Sequence, residues 1–257
     1  MSMKLFFVIT LISLIIFFVV LSFQIYMVSN TKVPQFSNPE RVVKELGSTN
    51  SDSLKYLVMG DSTAAGQGAE YTDGIAYQTA QKLSEQYQVK LLNTGISGAK
   101  VADILSDQIN VVKQFNPDLV LLSVGANDVT HLTSSHKIES GLDEIVDALI
   151  KNNCNVKIIV TGAPEMGSVQ LFPQPLRFIA GLRTKQINNV FQNIVREEKI
   201  TIAPIAAKTG SRFKNDASLF ASDRFHPNKS GYAIWIPVIN SAINEALEKP
   251  MRCKVDY

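Results

Sequence analysis

Histidine, cysteine and tryptophan are scarce in this chain of 257 residues, which holds three, two and one of them. Two cysteines, Cys154 and Cys253, are too few for a disulfide framework. They can pair with each other or remain as two thiols, and the sequence leaves both readings open. The three histidines are His131, His136 and His226. Only Asp128, His131 and His136 lie close together in the chain, and no further grouped Cys, His or carboxylate joins them, so no metal site or cofactor is expected. The formal net charge is +2, and no basic stripe with interleaved aromatics occurs. Nothing therefore points to a nucleic-acid partner. Repeats and low-complexity runs are also missing, which argues against arrays and solenoids.

Charge is missing altogether from one stretch. Leu5 to Phe23, LFFVITLISLIIFFVVLSF, is an apolar or weakly polar run long enough to cross a bilayer as a helix. No face of it is polar, so it does not read as the helix of a soluble core. A cleaved signal usually has a shorter apolar region followed by a small-x-small site. Here QIYMVSN comes next, so the expectation is an uncleaved membrane anchor over residues 1–27, with a signal peptide as the rival. Lys4 precedes the run, and Lys32, Arg41 and Lys44 come after it among Glu40 and Glu45, so the positive-inside count does not fix the orientation. A short tail kept inside and a large domain exported is the simplest arrangement.

Residues 28–53 are polar and broken by Pro34 and Pro39. They read as a tether, with a short helix over Glu40–Leu46. Residues 54–257 form the globular part, and the 46% hydrophobic content suits one core. There, short β-rich apolar runs at Tyr56–Met59, Val89–Leu92, Leu119–Val124, Ile158–Thr161 and Ile200–Ile205 alternate with helical patterns. The helical patterns cover Ile75–Tyr87, Val101–Phe115, Ile138–Lys151 and Phe178–Glu198. A last helix begins after Pro227, with Pro237 as a kink or break. The strands are apolar on both faces, as in a covered parallel sheet. The expected fold is a doubly wound three-layer α/β/α sandwich on a five-stranded parallel sheet.

In such a sheet the ligand site lies beyond the carboxyl ends of the strands. The residues at those ends are then informative. Gly60-Asp61-Ser62 comes after the first strand, Asn93-Thr94-Gly95-Ile96-Ser97-Gly98 after the second and Gly125-Ala126-Asn127-Asp128 after the third. Asp223-Arg224-Phe225-His226-Pro227 precedes the last helix. Each alone is an ordinary turn, but together they supply what ester hydrolysis needs. A serine hydroxyl needs a base to take its proton, and a histidine base needs a carboxylate to orient it. The oxyanion of the tetrahedral intermediate needs fixed donors. Ser62 suits the nucleophile, His226 the base and Asp223 its orienter. The N–H groups of Ser62 and Gly95, with the Asn127 amide, suit the oxyanion hole.

This set of blocks, in this order from about Lys55 to Leu247, resembles the SGNH hydrolase superfamily, the GDSL esterases and lipases. The four residues of that name map onto Ser62, Gly95, Asn127 and His226. The resemblance implies a flavodoxin-like fold and a serine esterase acting through a covalent acyl-enzyme. No G-x-S-x-G occurs, so the α/β-hydrolase elbow has no support. The substrate expected is an acyl or acetyl ester, lipid-like or lysophospholipid-like. A deacetylase of envelope carbohydrate is the alternative, and a non-catalytic envelope-binding module is a third reading.

Asp128-Val-Thr-His131 is a second D-x-x-H, and His131 is a competing base. His226 is preferred for its motif and its place before the final helix. Asp61 reads as a turn or cap residue, and Asp128 as a tie within its own loop. The segment 162–181 offers Met166, Val169, Leu171, Phe172 and Phe178 as walls of an acyl pocket, or as a loop packed on the core. Arg177 and Arg183 are candidates for an anionic headgroup, or solvated helix charges.

Overall fold

The computed structural model describes residues 3–31, 34, 37–197, 200–250 and 253. A six-stranded sheet forms the centre. Its strands are β1 (Lys44–Leu46), β2 (Ser53–Gly60), β3 (Gln88–Asn93), β4 (Leu119–Ser123), β5 (Lys157–Val160) and β6 (Thr201–Ile202). Their order across the sheet is β1-β3-β2-β4-β5-β6. The five strands β2–β6 run parallel, as the alternation predicts, and β1 adds an antiparallel edge on β3, with Lys44 opposite Leu91. That edge strand replaces the short helix expected over Glu40–Leu46. Free backbone groups on β3 recruit these three residues into the sheet, an influence that local propensity does not contain.

The helices are α1 (Met3–Ser29), α2 (Ser62–Ala65), α3 (Ile75–Leu83), α4 (Val101–Asp107), α5 (Val112–Phe115), α6 (Ala126–Thr130), α7 (Ser135–Asn152), α8 (Leu176–Glu197), α9 (Ile205–Asn215) and α10 (Lys229–Glu248). All five residues of β4 are buried, so both faces of the sheet are covered. Two groups of helices do this: α3 and α9 with α10, and α4 and α8 with α7. Their sequences explain the packing. In α7, Ser134 caps the first turn by accepting from Lys137 N–H, and Ile138, Leu142, Ile145 and Leu149 form its buried stripe. In α10, Asn228 caps the start, and Tyr232, Trp235, Ile239 and Ile243 face the core. This helix continues through Pro237, where a break was an option. Pro237 and Ala233 are both exposed, so the carbonyl that loses its hydrogen bond faces water.

The predicted helix over Val101–Phe115 divides at Gln108 into α4, a tight turn and α5. The predicted strand over Ile200–Ile205 is cut to two residues because α9 starts after Pro204. The segment before β2 lies on the domain. Ser97 N–H donates to Asn38 Oδ1 at 2.8 Å, and Arg41 donates to the Asp107 carbonyl at 2.9 Å. Cys154 and Cys253 form a disulfide, with Cα atoms 5.9 Å apart. Helix α1 is long and apolar enough to cross a membrane, and none of its residues is buried.

Candidate active site

The strand order changes direction at β2, with β3 on one side and β4 on the other. A parallel sheet opens a crevice at that point. Ser62 stands there as the first residue of α2. The turn that presents it is fixed from several sides. Gly60 has φ of 143°, and a Cβ there would lie 1.8 Å from the Ser123 carbonyl oxygen. Only glycine lets β2 end this close to β4. The buried Gln108 amide clasps Gly60, accepting from its N–H at 2.8 Å and donating to its carbonyl at 2.8 Å. Asp61 caps α2 by accepting from Thr63 N–H at 2.8 Å and Thr63 Oγ1 at 2.7 Å. Thr63 Oγ1 in turn meets Ser123 Oγ at 2.8 Å.

His226 arrives from the loop before α10. That loop is pinched by an antiparallel bridge between Phe220 and Pro227, and Ala221 N–H donates to the His226 carbonyl at 2.8 Å. His226 Nε2 lies 3.0 Å from Ser62 Oγ, and His226 Nδ1 lies 2.6 Å from Asp223 Oδ2. The other carboxylate oxygen, Asp223 Oδ1, accepts from the N–H groups of Phe225 at 2.9 Å and His226 at 3.0 Å. Burial works to raise the Asp223 pKa, but the hydrogen bonds from the His226 ring and these two amides outweigh it and hold the carboxyl below its ordinary range. Asp223 is thereby kept ionised, as the orienter of an imidazole must be.

Asn127 sits in α6, and its Nδ2 donates to the Ala99 carbonyl at 3.0 Å. That bond fixes the amide and leaves its second hydrogen for another acceptor. Asn127 lines the same cleft as Ser62 and His226. Ser62 N–H, the first amide of α2, has no acceptor among the described residues. Gly95 is pressed against the helix that carries Ser62, since a Cβ would come 2.6 Å from Ala65 N. Its N–H donates to Asn93 Oδ1 at 2.9 Å, so this expected donor is already engaged.

The second D-x-x-H does not form a pair. Asp128 is buried and accepts from Val101 N–H at 3.1 Å, tying the loop after β4 to the start of α4. His131 is exposed at the end of α6, with Nδ1 2.9 Å from the Asn127 carbonyl oxygen. No group of three or more metal-ligating residues lies together among the described residues. Arg177 holds the loop before α8 by donating to the Phe172 and Gln170 carbonyls, and Arg183 donates to the Thr133 carbonyl. Arg177 thus serves as a loop clamp, whereas Arg183 also lines the open cleft that contains Ser62.

Two spaces flank Ser62. One is a narrow, largely apolar pocket of about 30 Å³ walled by Met166, Val169, Phe213 and Trp235 among others. The second is an open, largely apolar cleft of about 510 Å³, walled in part by Leu171 and Phe172. Of the pocket residues expected in the segment 162–181, Phe178 alone points away, and it is 62% exposed.

Asp61 is wholly buried and one of its oxygens has no partner. Burial pushes its pKa up to about 6, against an ordinary 3.8. The native state therefore holds this proton longer than the unfolded chain does. The stability tied to Asp61 is fully present below about pH 4 and is lost as the pH rises through 6, by an amount on the order of 3 kcal/mol. Asp61→Asn, which can still accept from Thr63, is expected to remove this slope. Melting temperatures of both proteins at pH 4.5 and 7.5 check it. An identical fall in both would place the pH dependence elsewhere.

Sequence reasoning missed Gln108, Thr63 and Ser123 as the residues that hold the turn carrying Ser62. The one signal available was a glutamine inside an otherwise amphipathic helical pattern.

A family model described as GDSL-like Lipase/Acylhydrolase matches residues 58–234. The chain is 28% identical to a GDSL-like esterase of Mycobacterium tuberculosis over 204 residues, 76% of this chain and 63% of that protein. It is 29% identical to an arylesterase of Vibrio mimicus over 120 residues, 46% of this chain and 60% of that protein. It thus spans about three-fifths of the length of these curated relatives. Among solved structures, an acetyl-xylooligosaccharide esterase of Geobacillus superposes with a TM-score of 0.61 at 21% identity, covering 79% of this chain and 99% of that one. At that identity the likeness is one of fold.

Proposed function

From the premise that the chain belongs to the GDSL-like lipase and acylhydrolase family, we propose that it is a serine esterase that hydrolyses acyl esters through a covalent acyl-enzyme. The observation that carries this reading is the relay from Ser62 Oγ to His226 Nε2 at 3.0 Å and from His226 Nδ1 to Asp223 Oδ2 at 2.6 Å. Ser62 Oγ attacks the ester carbonyl carbon while His226 Nε2 takes its proton. Asp223 holds the ring and balances the imidazolium charge. Ser62 N–H and Asn127 Nδ2 donate to the oxyanion. Gly95 N–H, shared with Asn93 Oδ1, is the weakest of the three donors. When the tetrahedral intermediate collapses, the alcohol leaves with the proton from His226. Water then attacks the acyl-enzyme with His226 again as base, and the acid is released.

Asn127→Ala is expected to lower kcat by roughly 10²–10³ with little change in KM, as for the loss of one fixed donor. Steady-state kinetics check this. A rise in KM alone would make Asn127 a ground-state binding residue instead.

The open apolar cleft beside Ser62 supports a lipid-like acyl ester. A second reading, an acetyl esterase of envelope carbohydrate, is favoured by the narrow pocket of about 30 Å³ beside Ser62, which suits a short acyl group. A panel of short and long p-nitrophenyl esters and acetylated sugars, tested on the full chain, separates the two. Turnover confined to acetyl groups would favour the second reading, and no turnover of any ester would oppose both.

The reading extends to location: α1 remains on the mature protein and holds the domain outside the cytoplasm. Its apolar length supports an anchor, and the Cys154–Cys253 disulfide supports an oxidising compartment. The protein is expected to stay with membranes in high salt. A mature N-terminus near Ser29, found by sequencing, would replace the anchor with a cleaved signal. A reporter fused after Tyr257 that works only in the cytoplasm would reverse the orientation.

A further inference from the structure

The open cleft at Ser62 is not walled by the catalytic domain alone. Leu21, Ile25 and Val28 of α1 line it, across from Leu171, Phe172 and Leu176. These three α1 residues share one helical face with Gln24. Gln24 locks that face in place. Its Nε2 donates to the Gln174 carbonyl at 2.6 Å, and its Oε1 accepts from Leu176 N–H at 3.3 Å. Val28 is half-buried against the core. Upstream the helix leaves the domain, and residues 3–20 are exposed. The same helix thus has a lower part with bilayer chemistry and an upper part built into the cleft.

The dimensions bring the two parts together. Leu5–Phe23 spans about 28 Å as a helix, close to the roughly 30 Å of a bilayer core. Leu21 then lies at the edge of the hydrocarbon, and Val28 about 7–8 Å beyond Phe23. The cleft therefore opens within the headgroup layer. Exposed apolar side chains on the domain support the same placement: Leu132, at 71% exposure, lines the cleft, and Phe178 and Leu182 stand on the first turns of α8 beside the Gln24 contact. The cleft volume of about 510 Å³ falls within the range of ligand pockets, roughly 300–1,000 Å³.

We infer that the last two turns of α1 are part of the substrate site: Leu21, Ile25 and Val28 form one wall of a channel that receives a long acyl chain directly from the membrane and presents its ester to Ser62. This rests on the serine-esterase reading and adds the source and the length of the acyl group. A chain sliding along α1 meets the apolar side chains of Leu21, Ile25 and Val28 on its way from the bilayer to the cleft. The anchor then acts as a specificity element as well as a tether.

The test uses the full chain in mixed micelles, with p-nitrophenyl palmitate and p-nitrophenyl acetate as probes. Ile25→Trp fills the channel from the α1 side, and Ile25→Ser removes apolar wall. Each is expected to lower the palmitate-to-acetate ratio of kcat/KM tenfold or more, the scale at which apolar pockets discriminate chain length. Ile16→Trp, on the exposed part of the helix, should leave that ratio at the wild-type value. The inference is overturned if the wild-type chain does not hydrolyse palmitate, if the Ile25 variants keep the wild-type ratio, or if Ile16→Trp shifts it equally. Failure of the underlying serine reading looks different: Ser62→Ala would then retain turnover of both esters.

Discussion

Ser62→Ala is expected to lower kcat by roughly 10⁴–10⁶ while leaving the melting temperature close to that of the unaltered protein. In the proposed mechanism the hydroxyl oxygen joins the acyl carbon, and Ser62 Oγ lies 3.0 Å from His226 Nε2. The fold should tolerate the change because the turn is held by its neighbours. Gln108 clasps Gly60, and Asp61 and Thr63 cap α2. Steady-state rates on a short p-nitrophenyl ester, with thermal unfolding as the control, read the result. Retained turnover would end the serine-nucleophile assignment.

His226→Ala should cost nearly as much. Removing one member of a relay leaves the others with nothing to do, so such losses are far from additive. His131→Ala is the matched comparison, because it removes the other histidine with an aspartate three residues before it. His131 is exposed and Asp128 is committed to Val101 N–H, so this variant should keep most of its activity. The opposite ranking would move the base to the loop after β4.

Much of this site is readable along the chain because its chemistry is local. Asp223 and His226 lie three residues apart, and one short loop suffices to join them. Ser62 comes two residues after the end of β2, so finding the strand finds the serine. The α/β alternation likewise emerges from apolar periodicity alone. The parts that stayed hidden depend on distant partners. Strand β1 exists because β3 offers it an edge. Gln108 acts on the backbone of Gly60, 48 residues away, and no local pattern marks such a clasp. The engagement of Gly95 N–H by Asn93 depends on a side-chain direction, which sequence does not specify. The apolar run of α1 is long enough to cross a membrane, but its seat at the cleft rests on the Gln24 contacts with residues about 150 positions further on.

The central claim is that Ser62 forms a covalent bond with the acyl group. It is tested most directly by treating the full chain with an alkyl fluorophosphonate, in which the serine oxygen displaces fluoride at phosphorus, and locating the adduct by peptide mass spectrometry. The expected result is one adduct per chain on the peptide containing Ser62, with activity lost in proportion and labelling nearly abolished in His226→Ala. An adduct on another residue, or full activity in a protein fully labelled at Ser62, would contradict it.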